Sequence, residues 1–199
     1  MGSTSHTIDP RVRTLLQSLD DKIATQLYQF LDGTLLVNQR LLVKILEGDG
    51  YVAGWRLDGV ASGSSAYFQF ENPAGSGINA NIISINLEGT GNGRVNMYPP
   101  DQVTVTAAGT AATHLNLNPA SGKSALCAFR YGGTYTLGTP VVKQVLPGGS
   151  RVRAVGGAIM ADVNMRIPVG FSLLIEIVNQ SGSAEDFSAR VLWWEESAS

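Results

Sequence analysis

The chain has 199 residues, 44% of them hydrophobic and only 15% charged; that is long enough to bury a sizeable core and less charged than the typical quarter of a globular protein. A formal net charge of -2 gives no basis for electrostatic attraction to nucleic acid or to an anionic membrane. The single cysteine, Cys127, excludes an intrachain disulfide and a cysteine-rich zinc site.

The N-terminus lacks the basic region and apolar run of a secretion signal, and no apolar run approaches the ~20 residues of a membrane span. The expectation is a soluble protein folded in a cytoplasm. From Asp9-Pro10, a capping side chain followed by a proline suited to the first helical position, Val12, Leu15, Leu16, Leu19, Ile23, Leu27, Phe30 and Leu31 recur in steps of three and four. This spacing predicts an amphipathic helix. Asp32-Gly33-Thr34 interrupts it, Leu35 to Leu46 resumes the apolar pattern, and Gly48 is a natural stop; one continuous helix and two are both compatible with this. The stripe finds little outside the β body to cover it, so it packs on its own sheet or against the same helix of other subunits. Gln26 and Gly33 break the heptad phase set by Leu16, Leu19 and Ile23, which leaves a coiled coil, a short bundle and a docking helix all open. The reading divides the chain into a helical oligomerisation or docking segment, 1–49, and a β domain, 50–199.

From Tyr51 the period changes to two. Runs at 51–57, 66–70, 80–87, 94–98, 102–106, 113–118, 124–129, 135–137, 141–146 and 158–167 are rich in β-branched and aromatic residues and bounded by Gly, Pro, Asn and Ser. Glu88-Gly89-Thr90-Gly91-Asn92-Gly93, between the third and fourth runs, carries a hairpin signal. It is no phosphate loop, because a strand follows it rather than a helix. The last two runs, 171–179 and 187–196, read as neighbouring antiparallel strands. Eight to ten short strands with no helix between them predict a mainly β fold, an antiparallel β-sandwich of jelly-roll type with an N-terminal helical segment.

Residues able to carry chemistry are sparse. His6 and His114 stand far apart in sequence, and no histidine pair has metal-ligand spacing on one element. The carboxylates fall mostly at strand ends and turns; of these, Glu71 and Glu176 are the pair a glycosidase would need to bring face to face. Cys127 reads as a small buried strand residue. Asn179-Gln180-Ser181 matches a glycosylation acceptor, without consequence in a cytoplasmic chain. Of Trp193 and Trp194, adjacent in a strand, only one indole can enter the core. The other is either a partly exposed aromatic beside a loop or an anchor at a subunit interface.

Three short motifs carry a resemblance. They are Phe70-Glu71-Asn72-Pro73-Ala74-Gly75-Ser76-Gly77, the run Ile167-Pro168-Val169-Gly170-Phe171-Ser172 continuing to Asn179, and the closing Trp194-Glu195-Glu196. With the preceding helical segment they resemble the small structural proteins of tailed viruses of bacteria and archaea, which decorate capsids or form head and tail appendages. The resemblance implies a jelly-roll sandwich, often trimeric, without enzymatic activity, cofactor or metal. The expected role is a non-enzymatic virion protein, a capsid decoration or minor capsid protein. It would contact itself and the major capsid or other virion proteins, but neither nucleic acid nor membrane. Leu16, Leu19, Ile23, Leu27, Phe30 and Trp194 are the candidate oligomer-interface residues. The alternative is a carbohydrate-binding sandwich or receptor-binding tail or fibre protein, with Trp55, Tyr67, Tyr98, Tyr131, Tyr135 and one of Trp193 and Trp194 as stacking platforms.

Overall fold

A computed structural model describes residues 40–148 and 157–198 of the chain. Residues 40–47 are helical. Lys44–Ser199 forms one compact unit, built from β1 (Gly50–Val60), β2 (Ser65–Glu71), β3 (Ile78–Gly89), β4 (Gly93–Tyr98), β5 (Val103–Ala107), β6 (Thr110–Ala111), β7 (His114–Asn116), β8 (Ala128–Tyr131), β9 (Thr134–Leu137), β10 (Val142–Leu146), β11 (Gly157–Ile167), β12 (Ser172–Asn179) and β13 (Glu185–Ser197).

Two antiparallel sheets face each other. The first has the order β11-β3-β13-β1-β7, the second β10-β4-β12-β2-β8-β6, and β5 pairs with β9 in a separate ribbon. With β5 to β9 set aside as an insertion and the remaining strands numbered 1 to 8, the sheets read 1-8-3-6 and 2-7-4-5. That order is a jelly roll: every connection except the one from β4 to β10 passes from one sheet to the other.

The period-2 alternation seen in the sequence sets the inner faces. Phe187, Ala189, Val191 and Trp193 of β13, Phe68 and Phe70 of β2, Ile175 and Ile177 of β12, and Ile82, Ile85 and Leu87 of β3 are all buried in one core. Each such side chain removed from water contributes about 1.5–3 kcal/mol.

Two expectations fail on which strand pairs with which. The turn at Glu88–Gly93 does not close a hairpin, since β3 pairs with β11 and β13 while β4 pairs with β10 and β12. Its glycines serve packing instead. A Cβ on Gly89 would lie 2.7 Å from the Phe187 ring, and one on Gly93 2.9 Å from Ile177, so the chain crosses the end of the core where no side chain fits. Likewise β12 and β13 are not neighbours, because each is a central strand of a different sheet. The run at 124–129 is also later than expected, with the strand at Ala128–Tyr131.

Asparagines lock both ends of the sandwich. Asn72 Nδ2 donates to the carbonyls of Ile78 at 2.8 Å and Ile167 at 3.0 Å, and its Oδ1 accepts from Ser76 Oγ at 2.6 Å. The backbone of Asn72 bonds to Phe171 and Gly170, and Gly170 supplies the left-handed φ of 78° that this turn requires. Two of the three motifs of the resemblance are therefore a single joint in space. At the opposite end Asn179 Nδ2 donates to the carbonyls of Val60 at 2.7 Å and Ser183 at 2.8 Å. With both amide hydrogens bonded and the residue buried, Asn179 cannot accept a glycan in the folded chain. Asn72→Ala removes three bonds around buried groups and is expected to cost about 2–3 kcal/mol, whereas Val145→Ala, at an exposed position, should stay within about 0.5 kcal/mol; urea denaturation of the two variants checks the contrast.

Candidate functional site

The outer face of the second sheet concentrates the polar chemistry of the described residues. Glu176 of β12 sits opposite Tyr67 on one side and Asn96 on the other. This places its carboxylate between β2 and β4. The β5–β9 ribbon belongs to a neighbouring apolar cluster in which Val103, Tyr135 and Leu137 pack with Tyr67, Tyr98 and Leu174. Glu176 is only 7% exposed, yet no cation pairs with it among the described salt bridges.

Four donors hold it instead. Ser65 Oγ at 2.7 Å and Tyr67 OH at 3.4 Å donate to Oε1, while Asn96 Nδ2 and Tyr98 OH, both at 2.8 Å, donate to Oε2. Burial pushes the carboxyl pKa up, but the bonds from Asn96, Ser65 and Tyr98, with the nearby charge of Arg94, outweigh it and leave the pKa below its ordinary value. The same contact acts in reverse on Tyr98, whose hydroxyl is pushed up to about 12 by burial and by the Glu176 bond and charge. A carboxylate offers about four acceptor sites; here three are taken by short bonds from Ser65, Asn96 and Tyr98 and the long contact from Tyr67 approaches the fourth. Glu176 is thus already engaged within the fold.

Glu195 behaves similarly inside the sandwich. It accepts from the amide of Leu126 at 3.0 Å, the amide of Cys127 at 2.9 Å and Trp193 Nε1 at 3.1 Å. Its role is to fasten the segment before β8 to the end of β13. Glu71 is engaged by Arg130 Nε at 2.6 Å. Glu71 and Glu176 lie on the same outer face, but their register partners, Ser172 and Tyr67, separate them by four strand positions, roughly 13 Å, beyond the ~5–9.5 Å of a glycosidase pair.

His114 packs edge-on against Tyr51, and its Nε2 accepts from the amide of Ala125 at 3.1 Å, which assigns its proton to Nδ1. Cys127 is buried, and burial pushes its thiol pKa up, so the thiolate of a nucleophile is disfavoured. No group of three or more His, Cys, Asp or Glu side chains converges as a metal site among the described residues.

Of the candidate interface residues, Leu16, Leu19, Ile23, Leu27 and Phe30 lie outside the described residues. Trp194 projects from the outer face of the first sheet, opposite Trp193, and is 6% exposed. Its indole N–H meets no acceptor among the described residues. The aromatic candidates separate clearly: Tyr98, Tyr135, Trp193 and Trp194 are buried, Tyr67 is half-buried beside Glu176, and Trp55 stands open to solvent, stacked on Tyr131. The donors around Glu176 were not legible as a set, because they come from the two strands that flank β12, β2 and β4, and meet only through sheet pairing.

The sequence matches no protein-family model and no curated protein.

Because the pKa of Glu176 is depressed in the fold, its contribution to stability is complete above about pH 4.5 and is lost as pH falls through the folded value. Tyr51 and Tyr98, both pushed up to about 12, act oppositely: their contribution is complete below about pH 10 and is lost as pH rises towards 12. Glu176→Gln should lower stability by about 2–3 kcal/mol at neutral pH and flatten the acid limb of a plot of urea midpoint against pH.

Proposed function

We propose that this chain is a non-enzymatic structural protein of a virion, a capsid decoration or minor capsid protein. In this reading it assembles as a homotrimer through its N-terminal helices and its sandwich. The observation that carries the reading is the strand order 1-8-3-6 against 2-7-4-5, the architecture used by viral capsid proteins and also by lectins and cupins.

A fold alone does not choose among these roles. Assembly is favoured by how the functional groups are used. The buried carboxylates Glu176 and Glu195 are engaged by internal donors, and the low charge of the chain suits a surface that meets other protein. Leu46, Leu115, Leu126, Val141 and Phe171 are exposed. Burying such side chains between copies is worth about 25 cal/mol per Å², and a stable interface removes ~1,200–2,000 Å² from water.

The full chain is expected to scatter light as a particle three times the 21.1 kDa protomer. Combined Leu19→Asp and Ile23→Asp substitutions are expected to shift it towards monomer. The chain should also be found by mass spectrometry in purified virions of the virus that encodes it. A wild-type monomer at micromolar concentration would overturn the assembly; a trimer missing from virions would overturn the virion role.

A further inference from the structure

The insertion between β4 and β10 closes one rim of the sandwich only in part. β7 covers β1 over Tyr51–Ala53, and the chain between β6 and β7 bridges the two sheets, with Ala112 bonded to Phe129 and buried. Beyond Ala53 no strand among the described residues pairs with the free edge of β1. By the alternation of an antiparallel ladder, in which the Gly50 carbonyl already faces β7 through Leu117, the backbone groups of Gly54 and Arg56 face outward there.

At this opening the sheets are bridged by one aromatic pair. Trp55 is in register with Ala189 of the core face, and Tyr131 is in register with Phe68, so both rings emerge from the inner faces at the rim. Their centroids are 4.3 Å apart and their planes 8° from parallel. One face of the indole is thus taken by Tyr131, and the residue is still 44% exposed. Stacking on Tyr131 orients the ring while much of it stays in contact with water.

The surroundings discriminate between occupants. The other exposed large apolar side chains of the described residues belong to residues 40–47, β5, β7, β10 and three loops, and β8 has none. Gly54 adjoins Trp55 along the strand, Thr110 is in register with Tyr131, and the exposed ion pair Arg56–Asp58 alternates to the other face of β1. A protein partner requires a wider apolar centre than one ring. A sugar requires a flat amphipathic platform for the C–H face of a pyranose with hydrogen-bonding groups beside it; the stacked indole, the outward backbone groups of Gly54 and Arg56, and Thr110 in register with Tyr131 are of this kind.

We infer that Trp55, stacked on Tyr131 at the open rim beside the free edge of β1, is the platform of a carbohydrate-binding site for pyranose units of a glycan. The inference does not depend on assembly into a virion. The chain has three tryptophans, of which Trp193 and Trp194 are buried, so collisional quenching of fluorescence by acrylamide reports chiefly on Trp55. The full-length protein is screened on a glycan array, and the oligosaccharides retained are titrated against acrylamide quenching. The expected result is saturable protection of Trp55 by at least one pyranose oligosaccharide. Trp55→Ala should weaken array binding about tenfold or more. Trp55→Phe, which keeps a ring on Tyr131 and guards against a folding defect, should weaken it less. Three results would overturn the inference: no array signal with wild-type protein, undiminished binding by folded Trp55→Ala, or sugar-independent shielding of Trp55 that grows with protein concentration and so assigns the ring to a protein interface.

Discussion

Trp193 is the piece on which the two layers depend. Its indole is fully buried, lies 5.7 Å from Tyr51 in its own sheet and meets Phe70 of the facing sheet edge-on at 5.3 Å. Edge-to-face contacts of this kind add about 0.5–1.5 kcal/mol beyond the area they bury. The indole N–H would be costly to bury alone, and Glu195, two residues along the same strand face, accepts it. That carboxylate in turn requires further donors and finds them in the amides of Leu126 and Cys127. A single large side chain thus specifies the sheet separation, a buried carboxylate and the docking of the segment that leads into β8.

The same economy governs the ends and the outer face. In a jelly roll nearly every connection crosses between sheets, so the turns lie over the open ends of the core, where backbone polar groups have no ladder to join. Asn72 and Asn179 satisfy these groups from the side, each tying together segments distant in sequence. On the outer face Glu176 does for three strands what a hydrophobic residue does for the core. It draws Ser65, Asn96 and Tyr98 inwards, and burial of the carboxylate strengthens these bonds by lowering the local dielectric.

These placements bear on function by showing where polar chemistry is already spent and where it is not. Glu176 and Glu195 are engaged by donors of the fold itself. Among the described residues, exposed apolar side chains are spread over several surfaces, and one stacked aromatic pair stands at a rim.

Much of the architecture was legible in residue order alone. Alternation in 187–196 identified a strand and the face it buries, because side-chain period is a local property of extended backbone, and the apolar run at 171–179 identified another strand. Gly and Pro clusters marked the turns for the same reason. The two-faced placement of Trp193 and Trp194 also followed from period two. What residue order could not supply was partnership. Period two tells a strand which face is greasy but not which neighbour it bonds, so Glu88–Gly93 resembled a hairpin until the packing of Gly89 and Gly93 against Phe187 and Ile177 showed a crossing. The Glu176 cluster and the locking bond from Asn72 to Ile167 join residues 78 to 111 positions apart, and the stacking of Trp55 on Tyr131 reaches across the two sheets. Only the tertiary fold brings them together, because their contacts depend on strand order and register, which are settled by the whole core at once.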